Sequence, residues 1–212
     1  MSTHKFTKEE EMVNSITHGI GIVFSLAALI VLTVQAAIHA TSLHVISFAL
    51  FGISMLVLYI SSTVLHALPK GKLKDTFEIM DHASIYFFIA GTYTPFLFIA
   101  VQGWVGWTLF GIVWGAALAG TVLKIFFVKK YMFLSTLGYV ILGWQIVFIW
   151  EPLSQAVPAA GLHYLIAGGL FYTVGAVFYM WRGFKYHHAV WHLFVLAGTV
   201  SHVFAVGYLL MV

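Results

Sequence analysis

Seven long apolar windows constrain this chain more than any other feature of its sequence. A helix that crosses a lipid bilayer needs about 20 predominantly apolar residues, and only short connections separate windows of that length here. Hydrophobic residues make up 61% of the 212-residue chain and charged residues 8%, so too few charged side chains are available to solvate a globular surface. The windows lie at roughly 15–38, 43–67, 82–101, 104–127, 131–150, 161–181 and 189–211.

We therefore predict an all-α integral membrane protein, a seven-transmembrane helix bundle that forms a single domain over residues 1–212. Only Gln102 and Gly103 separate the third window from the fourth, which predicts a tight helical hairpin at that point. The opening MSTHKFTKEEEM is mixed in charge and runs into a full-length window. It lacks the basic and then briefly apolar pattern of a cleaved signal peptide.

The basic residues predict the orientation of the bundle. With seven crossings, all ten Lys and Arg residues fall on one side of the membrane, and the other side has none. Cytoplasmic loops carry the excess of Lys and Arg in membrane proteins, so we expect the N-terminus to be cytoplasmic and the C-terminus outside. The ten residues are Lys5, Lys8, Lys70, Lys72, Lys74, Lys124, Lys129, Lys130, Arg182 and Lys185.

Histidine is enriched in a way that composition alone does not explain. The chain has eleven histidines and no cysteine, which excludes disulfides and Cys-ligated zinc. The run YHHAVWHLF at 186–194 opens the last window and places His188 and His192 four residues apart. Residues at that spacing share one helix face, and such a pair is typical of helical zinc ligands. His187 points off that face and is predicted to be a rim residue.

A third ligand is expected from another helix at the same depth. His66 ends the second window on the predicted cytoplasmic side, and Ser62 lies one turn before it on the same face. Three histidines without cysteine match the catalytic type of zinc site, which keeps its fourth position open. Asp81, which opens the third window, is then placed to orient a ligand or to accept a proton from bound water.

Each of these histidines also has a simpler interpretation. A histidine near a helix end often only hydrogen-bonds to lipid headgroups or to the backbone, and it is their shared depth that favours a metal site. His202 lies ten residues beyond His192, about 15 Å along a helix axis. It is therefore too distant to share one metal with that residue.

Four segments in fixed order resemble a known family. They are EEEMVNSITHGIG at 9–21, SSTVLH at 61–66, DHASIYFFIAGTYTPF at 81–96 and HHAVWHLFVLAGTVSH at 187–202. They are similar to motifs of the bacterial hemolysin III proteins, which belong with the progestin and adipoQ receptor family that includes the adiponectin receptors. The resemblance covers nearly the whole chain.

The resemblance implies one zinc ion near the cytoplasmic leaflet, inside seven helices. It implies His66, His188 and His192 as the ligands, Asp81 as the residue that holds the zinc-bound water, and Ser62 as part of the lining. The first motif supplies three further residues, which are expected to act behind the ligands or in gating: Glu11, Asn14 and His18.

The zinc motifs of the family are similar to those of alkaline ceramidases, which implies hydrolysis of a lipid amide or ester. A zinc-stabilised regulator or sensor of membrane lipid homeostasis is the alternative. A pore-forming hemolysin is the least favoured, because the polar residues gather on one side and describe a pocket. The two favoured functions differ in the fourth zinc position, which water would leave open and Asp81 would close.

Partners and location follow from the same comparison. Membrane lipids, including a lipid substrate, are the expected partners, and no nucleic-acid partner is expected. The chain lacks the long N-terminal region of the animal receptors and any sizeable outer domain, so no protein hormone is expected either. Oligomeric state is left open. The minimal length and the absence of a mitochondrial presequence fit a bacterial inner membrane protein.

Overall fold

All regular structure in the described part of the chain is helical. The computed structural model describes residues 6–212, so Lys5, one of the ten basic residues above, lies outside the described residues. The helices are α1 (Lys8–His39), α2 (Ser42–Ala67), α3 (Lys72–Pro95), α4 (Gly103–Phe127), α5 (Met132–Gly143), α6 (Trp150–Ala156), α7 (Ala159–Met180) and α8 (His187–Gly207), with a π-helical turn at Phe96–Val101 and 3-10 turns at Trp144–Ile149 and Tyr208–Met211.

Seven helical segments in residues 6–212 are long and apolar enough to cross a membrane, which confirms the predicted spans. The fifth span is not one continuous α-helix, because the 3-10 turn separates α5 from α6. The helix ends extend beyond the apolar windows, since a helix continues into the polar zone that flanks the hydrocarbon. Helices α1 and α3 both begin several residues before their predicted windows.

Helix α1 begins at Lys8 rather than near residue 15, because Thr7 caps it. The Thr7 hydroxyl accepts from the Glu10 backbone N–H, and the Glu10 carboxylate accepts from the Thr7 N–H, the reciprocal arrangement of a capping box. Helix α3 begins at Lys72, ten residues before its predicted window. Asp81 therefore does not open the third span but lies about two and a half turns inside its helix.

The predicted hairpin between the third and fourth spans is confirmed. Gln102 and Gly103 both have a positive φ, of 54° and 57°, at the point where the chain reverses between two helices. The Gln102 N–H donates to the Leu97 carbonyl at 2.9 Å. A Cβ at Gly106 would lie only 2.4 Å from that same carbonyl oxygen, so the tight turn requires glycine at this position.

Helix α3 lies at the centre of the bundle. The most apolar stretch of its span is 72% buried, against 44% or less for the other spans. The outer helices instead present large apolar side chains outward, as at Val23, Phe126 and Phe148. In a bilayer these faces contact lipid, whereas polar side chains such as Asn14, Ser62 and Thr199 are buried inside the bundle.

Contacts near the helix ends gather the basic residues at one end of the bundle. Lys74 pairs with Glu11 at 2.9 Å, and Lys129 pairs with Asp75 at 2.9 Å. The Tyr186 N–H donates to the Glu10 carboxylate at 3.2 Å. Because short connections reverse the chain between spans, all nine described Lys and Arg residues lie at this end. Which side of the membrane it faces stays a prediction.

Candidate metal centre

Three histidines from two helices converge at the basic end of the bundle. His66 lies in the last turn of α2, and His188 and His192 lie in the first turns of α8. All three are buried, and one candidate ligand atom of each lies within 4.8 Å of the other two. The structure thus brings together the three residues that the sequence predicted as ligands, and the group could hold a metal ion.

His66 is held by a carboxylate from another helix. Its Nδ1 donates to Glu11 Oε2 at 2.6 Å, and the other Glu11 oxygen accepts from Lys74 Nζ at 2.9 Å. The remaining ring nitrogen, Nε2, is buried and has no hydrogen-bond partner among residues 6–212. A carboxylate that fixes the far nitrogen of a histidine is the usual support behind a metal-binding imidazole.

His192 is held in the same way by the backbone of α1. Its Nδ1 lies 3.2 Å from the Asn14 carbonyl oxygen and 3.1 Å from the Thr17 hydroxyl. A carbonyl can only accept, so Nδ1 carries the proton and Nε2 keeps its lone pair. That Nε2 is also buried without a partner in the described part of the chain. Two histidines on different helices therefore expose the same nitrogen to the same space.

His188 completes the group and is covered by aromatic rings. Its ring centre lies 4.7 Å from that of Trp191 and 4.9 Å from that of Phe6. The rings of His66 and His192 lie 5.0 and 4.5 Å away. This cover limits access of water from the end of the bundle.

The donor set fits a bound cation. Buried polar atoms are nearly always paired, and the Nε2 atoms of His66 and His192 have no partner among residues 6–212. A metal ion would supply that partner to both at once. Three imidazoles with no thiolate suit zinc and other borderline metals.

Asp81 and Ser62 lie beside the three histidines but not among them. Both are buried, at 3% and 0% exposure. The Asp81 carboxyl has Ser62 and His66 among its close neighbours, and its Oδ2 lies 3.6 Å from His82 Nδ1. Asp81 is not part of the group whose candidate ligand atoms all lie within 4.8 Å of one another. Its role as holder of a water rather than as a ligand stays a prediction.

Three residues of the first motif lie against the histidine group. Glu11 reaches His66, and the Asn14 backbone reaches His192. His18 stacks on the His192 ring with centroids 3.4 Å apart, and it is almost fully buried with both ring nitrogens unpartnered among the described residues. Whether these residues gate the site stays a prediction.

His187 lies outside the three-histidine group but is more enclosed than expected of a rim residue. It is 7% exposed, and the rings of Phe6 and Phe184 lie 6.0 and 6.2 Å from its own. The prediction that it is a rim residue is therefore wrong. The aromatic side chains of the α7–α8 connection and of the chain start fold over it.

Two contacts were missed from the sequence. The contact of Thr17 could have been predicted from the sequence, because Thr17 lies three residues after Asn14, on the same face of α1. The contact of Lys74 could not have been predicted from the sequence. Its ammonium donates to Glu11 and to the Leu65 and Leu68 carbonyls only because α3 packs against α1 and α2.

An apolar cavity extends from the site into the bundle. It has a volume of about 150 Å³ and is lined mainly by α3, α5, α7 and α8, with one residue each from α1 and α2. Asp81 and His18 form the wall at the histidine end, and His202 lies in the wall further along. The histidine group and a space suited to an apolar chain are therefore adjacent.

The fold and the site define a multi-pass helical membrane protein with a buried three-histidine group at one end. The model of the family described as haemolysin-III related matches residues 6–203, and the chain belongs to that family. It is similar to the hemolysin-3 homolog of Bacillus subtilis (strain 168), with 48% identity over 95% of this chain and 94% of the relative.

Two further relatives extend the comparison. The hemolysin-3 of Bacillus cereus is 45% identical over 96% of this chain and 95% of its own length. The human monocyte to macrophage differentiation factor is 29% identical over 74% of this chain and 67% of its own length. The family resemblance recognised in the four sequence motifs is thus confirmed.

Proposed function

We propose that this protein is a zinc-dependent hydrolase that cleaves an amide or ester bond of a membrane lipid. The observation that carries the proposal is the placement of three buried histidines and one buried carboxyl at the end of an apolar cavity. We place the site at the cytoplasmic side of a bacterial inner membrane, because all nine described basic residues lie at that end of the bundle and cytoplasmic loops are the basic ones.

The ligand set supports zinc in a catalytic role. His66, His188 and His192 would hold the ion, and three protein ligands with an open fourth position are typical of catalytic zinc. When bound, zinc acts as a Lewis acid and lowers the pKa of a coordinated water to about 7. Glu11 and the Asn14 carbonyl keep two of the imidazoles in the tautomer that presents Nε2.

Asp81 is the residue we assign to proton transfer. Its carboxyl is buried at the junction of the histidine group and the cavity, so it adjoins the place that a scissile carbonyl would occupy. It would accept the proton of the attacking water and return it to the leaving amine or alcohol, the usual exchange of a general base and acid. Ser62 lies next to that carboxyl and would orient it.

The cavity supports a lipid as substrate. Its wall away from the histidine end is mainly apolar, and it lies between helices whose outer faces contact lipid. An acyl chain held there would bring its carbonyl to the buried polar end, from which bulk water is excluded. Water exclusion strengthens every electrostatic interaction at the reacting group.

A second candidate function rests on a different feature of the same site. The histidines and their supports join α1, α2 and α8, so a bound zinc would also fasten three helices together. In that case the protein is a zinc-stabilised regulator or sensor of membrane lipids without turnover. A pore is the least favoured function, because the polar groups gather at one end of the bundle.

The test separates metal binding from catalysis. The full-length protein is purified in detergent as wild type, His192→Ala and Asp81→Asn, and each is assayed for zinc by mass spectrometry and for release of fatty acid from fluorescent ceramide and lipid esters. We expect one zinc per chain in the wild type, loss of zinc in His192→Ala, and retained zinc with lost turnover in Asp81→Asn. Zinc without turnover of any lipid in the wild type would support the regulator instead.

A further inference from the structure

We infer that His202 is a specificity-determining residue, a hydrogen-bond acceptor in the cavity wall that selects acyl chains carrying a hydroxyl group part way along. The inference rests on the proposed function, since it takes the cavity to be the channel for a lipid chain. It adds the class of lipid, which neither the metal centre nor the family membership specifies.

His202 lies deep in the bundle, away from the metal centre. It follows His192 by ten residues on α8, about 15 Å along the helix axis, and it is 8% exposed. It lines the 150 Å³ cavity and also a second cavity of about 70 Å³, and the two share Thr92, Tyr93 and Trp144 in their walls. The His202 ring therefore lies where the two spaces adjoin.

The hydrogen bond of His202 fixes its tautomer. Its Nε2 lies 3.2 Å from the Leu165 carbonyl oxygen, and because a carbonyl only accepts, Nε2 carries the proton. Nδ1 is then the unprotonated nitrogen of a neutral ring, an acceptor and not a donor. It is buried and has no hydrogen-bond partner among residues 6–212.

Close packing holds the ring in this position. A Cβ placed on Gly168 would lie 2.1 Å from His202 Cδ2, so α7 presents bare backbone to the imidazole. The Tyr172 ring stands across it, with centroids 5.2 Å apart. Rotation of the ring would cost the Leu165 bond and this packing, so the Nδ1 acceptor is preorganised.

Neighbouring polar groups in the cavity wall are already paired within the protein. The Thr92 hydroxyl donates to the Phe88 carbonyl at 2.8 Å, the Tyr93 hydroxyl to Gly143 at 2.7 Å, and the Trp144 indole N–H to Thr173 at 2.9 Å. The Tyr172 hydroxyl is 3.0 Å from that of Thr199. In contrast, Nδ1 of His202 accepts no hydrogen bond from residues 6–212. A buried acceptor of this kind is unfavourable unless a ligand or a water supplies a donor.

The complement of a buried neutral acceptor is a neutral donor. A hydroxyl on an apolar chain meets this need, whereas a methylene, a double bond or an ether oxygen has no proton to donate. A charged group is excluded by the apolar surroundings. Since His202 lies about 15 Å from the ligand pair along α8, the donor must lie near the middle of a long acyl chain whose carbonyl is at the metal centre.

Oleate and ricinoleate are matched probes, because they differ only by one mid-chain hydroxyl. Each is titrated against a fluorescent fatty acid bound to the zinc-loaded, full-length protein in detergent. We expect ricinoleate to bind about two- to tenfold more tightly than oleate, the ratio that one net hydrogen bond provides. The methyl ether of ricinoleate, which keeps the oxygen but lacks the proton, is expected to bind like oleate.

The variants assign the preference to His202. In His202→Phe the two chains are expected to bind equally, whereas Thr92→Val, which removes a hydroxyl already bonded to the backbone, should keep the preference. The inference would be overturned if the wild type bound oleate and ricinoleate equally or bound neither. It would also be overturned if the preference for ricinoleate survived in His202→Phe. If His202→Phe does not fold, the methyl ether still decides, because its binding as tightly as ricinoleate would also overturn it.

Failure of the proposed hydrolase would be seen separately. The preference for ricinoleate over oleate is measured by binding and does not need turnover. Asp81→Asn is expected to keep this preference. A wild type that prefers ricinoleate but cleaves no lipid would retain the assignment of His202 and reject the hydrolase. A wild type that cleaves lipids but binds oleate and ricinoleate equally would support the hydrolase and reject the assignment of His202.

Discussion

Glu11 of α1 and His66 of α2 meet at 2.6 Å between Oε2 and Nδ1, and Lys74 of α3 closes on the other carboxylate oxygen at 2.9 Å. Three helices thus share one carboxylate behind a candidate metal ligand. The carboxylate orients the imidazole and raises its basicity, which strengthens a metal bond made by Nε2.

Replacing this carboxylate is expected to weaken metal binding without abolishing it. Glu11→Gln keeps the shape of the side chain but loses its charge, and we expect the zinc affinity to fall about 10- to 100-fold, measured by competition with a chromogenic chelator. Glu9→Gln is the matched control, since Glu9 is an exposed residue in the same helical turn. Equal affinity in the two variants would mean that Glu11 does not support the site.

Packing of α1 against α2 depends on a glycine at the depth of the site. A Cβ at Gly21 would lie 2.2 Å from the Tyr59 ring, whereas a Cβ at Gly19 would lie 3.9 Å from its nearest neighbour. Overpacking of this kind typically costs about 1–3 kcal/mol. We expect Gly21→Ala to lower the thermal unfolding midpoint in detergent and Gly19→Ala to leave it unchanged or raised. An unchanged midpoint in Gly21→Ala would show that Tyr59 can move aside.

Much of this architecture could be predicted from the chain alone, because the bilayer imposes a length and an apolar composition on each span. The apolar windows do not indicate which helix lies at the centre of the bundle. Asp81 was predicted at the opening of the third span but lies inside α3, since this helix begins with polar and largely exposed turns that precede the apolar window.

Contacts between distant segments explain the remaining differences. The spacing of His188 and His192 follows from helical geometry, and the grouping with His66 follows from a common depth. The support from Thr17 and Lys74 depends on how α1 and α3 rotate about their axes, which side-chain packing decides. His202 was set aside as too far for a shared metal, and only the cavity between helices gives it a role.

Acid is expected to release the metal. An imidazole binds a metal through its lone pair, so protons compete with the ion for His66, His188 and His192. We expect bound zinc to fall as the pH is lowered from about 8 to about 5, followed by dialysis against a weak chelator and metal analysis. Helix content by circular dichroism should stay unchanged, and zinc should rebind when neutral pH is restored. Zinc that stays fully bound in acid would point to ligands other than histidine.

The absence of cysteine allows the orientation of the bundle to be tested directly. Because the chain has no cysteine, a single introduced thiol reports its own exposure to a membrane-impermeant maleimide. Lys130 lies in the connection between α4 and α5 at the basic end, and Thr41 lies between α1 and α2 at the opposite end; both are exposed. From the positive charge at the first end, we expect Thr41→Cys to be labelled in intact cells and Lys130→Cys only after the cells are permeabilised. Labelling of Lys130→Cys alone in intact cells would invert the topology and move the histidine group, with the proposed chemistry, to the outer side.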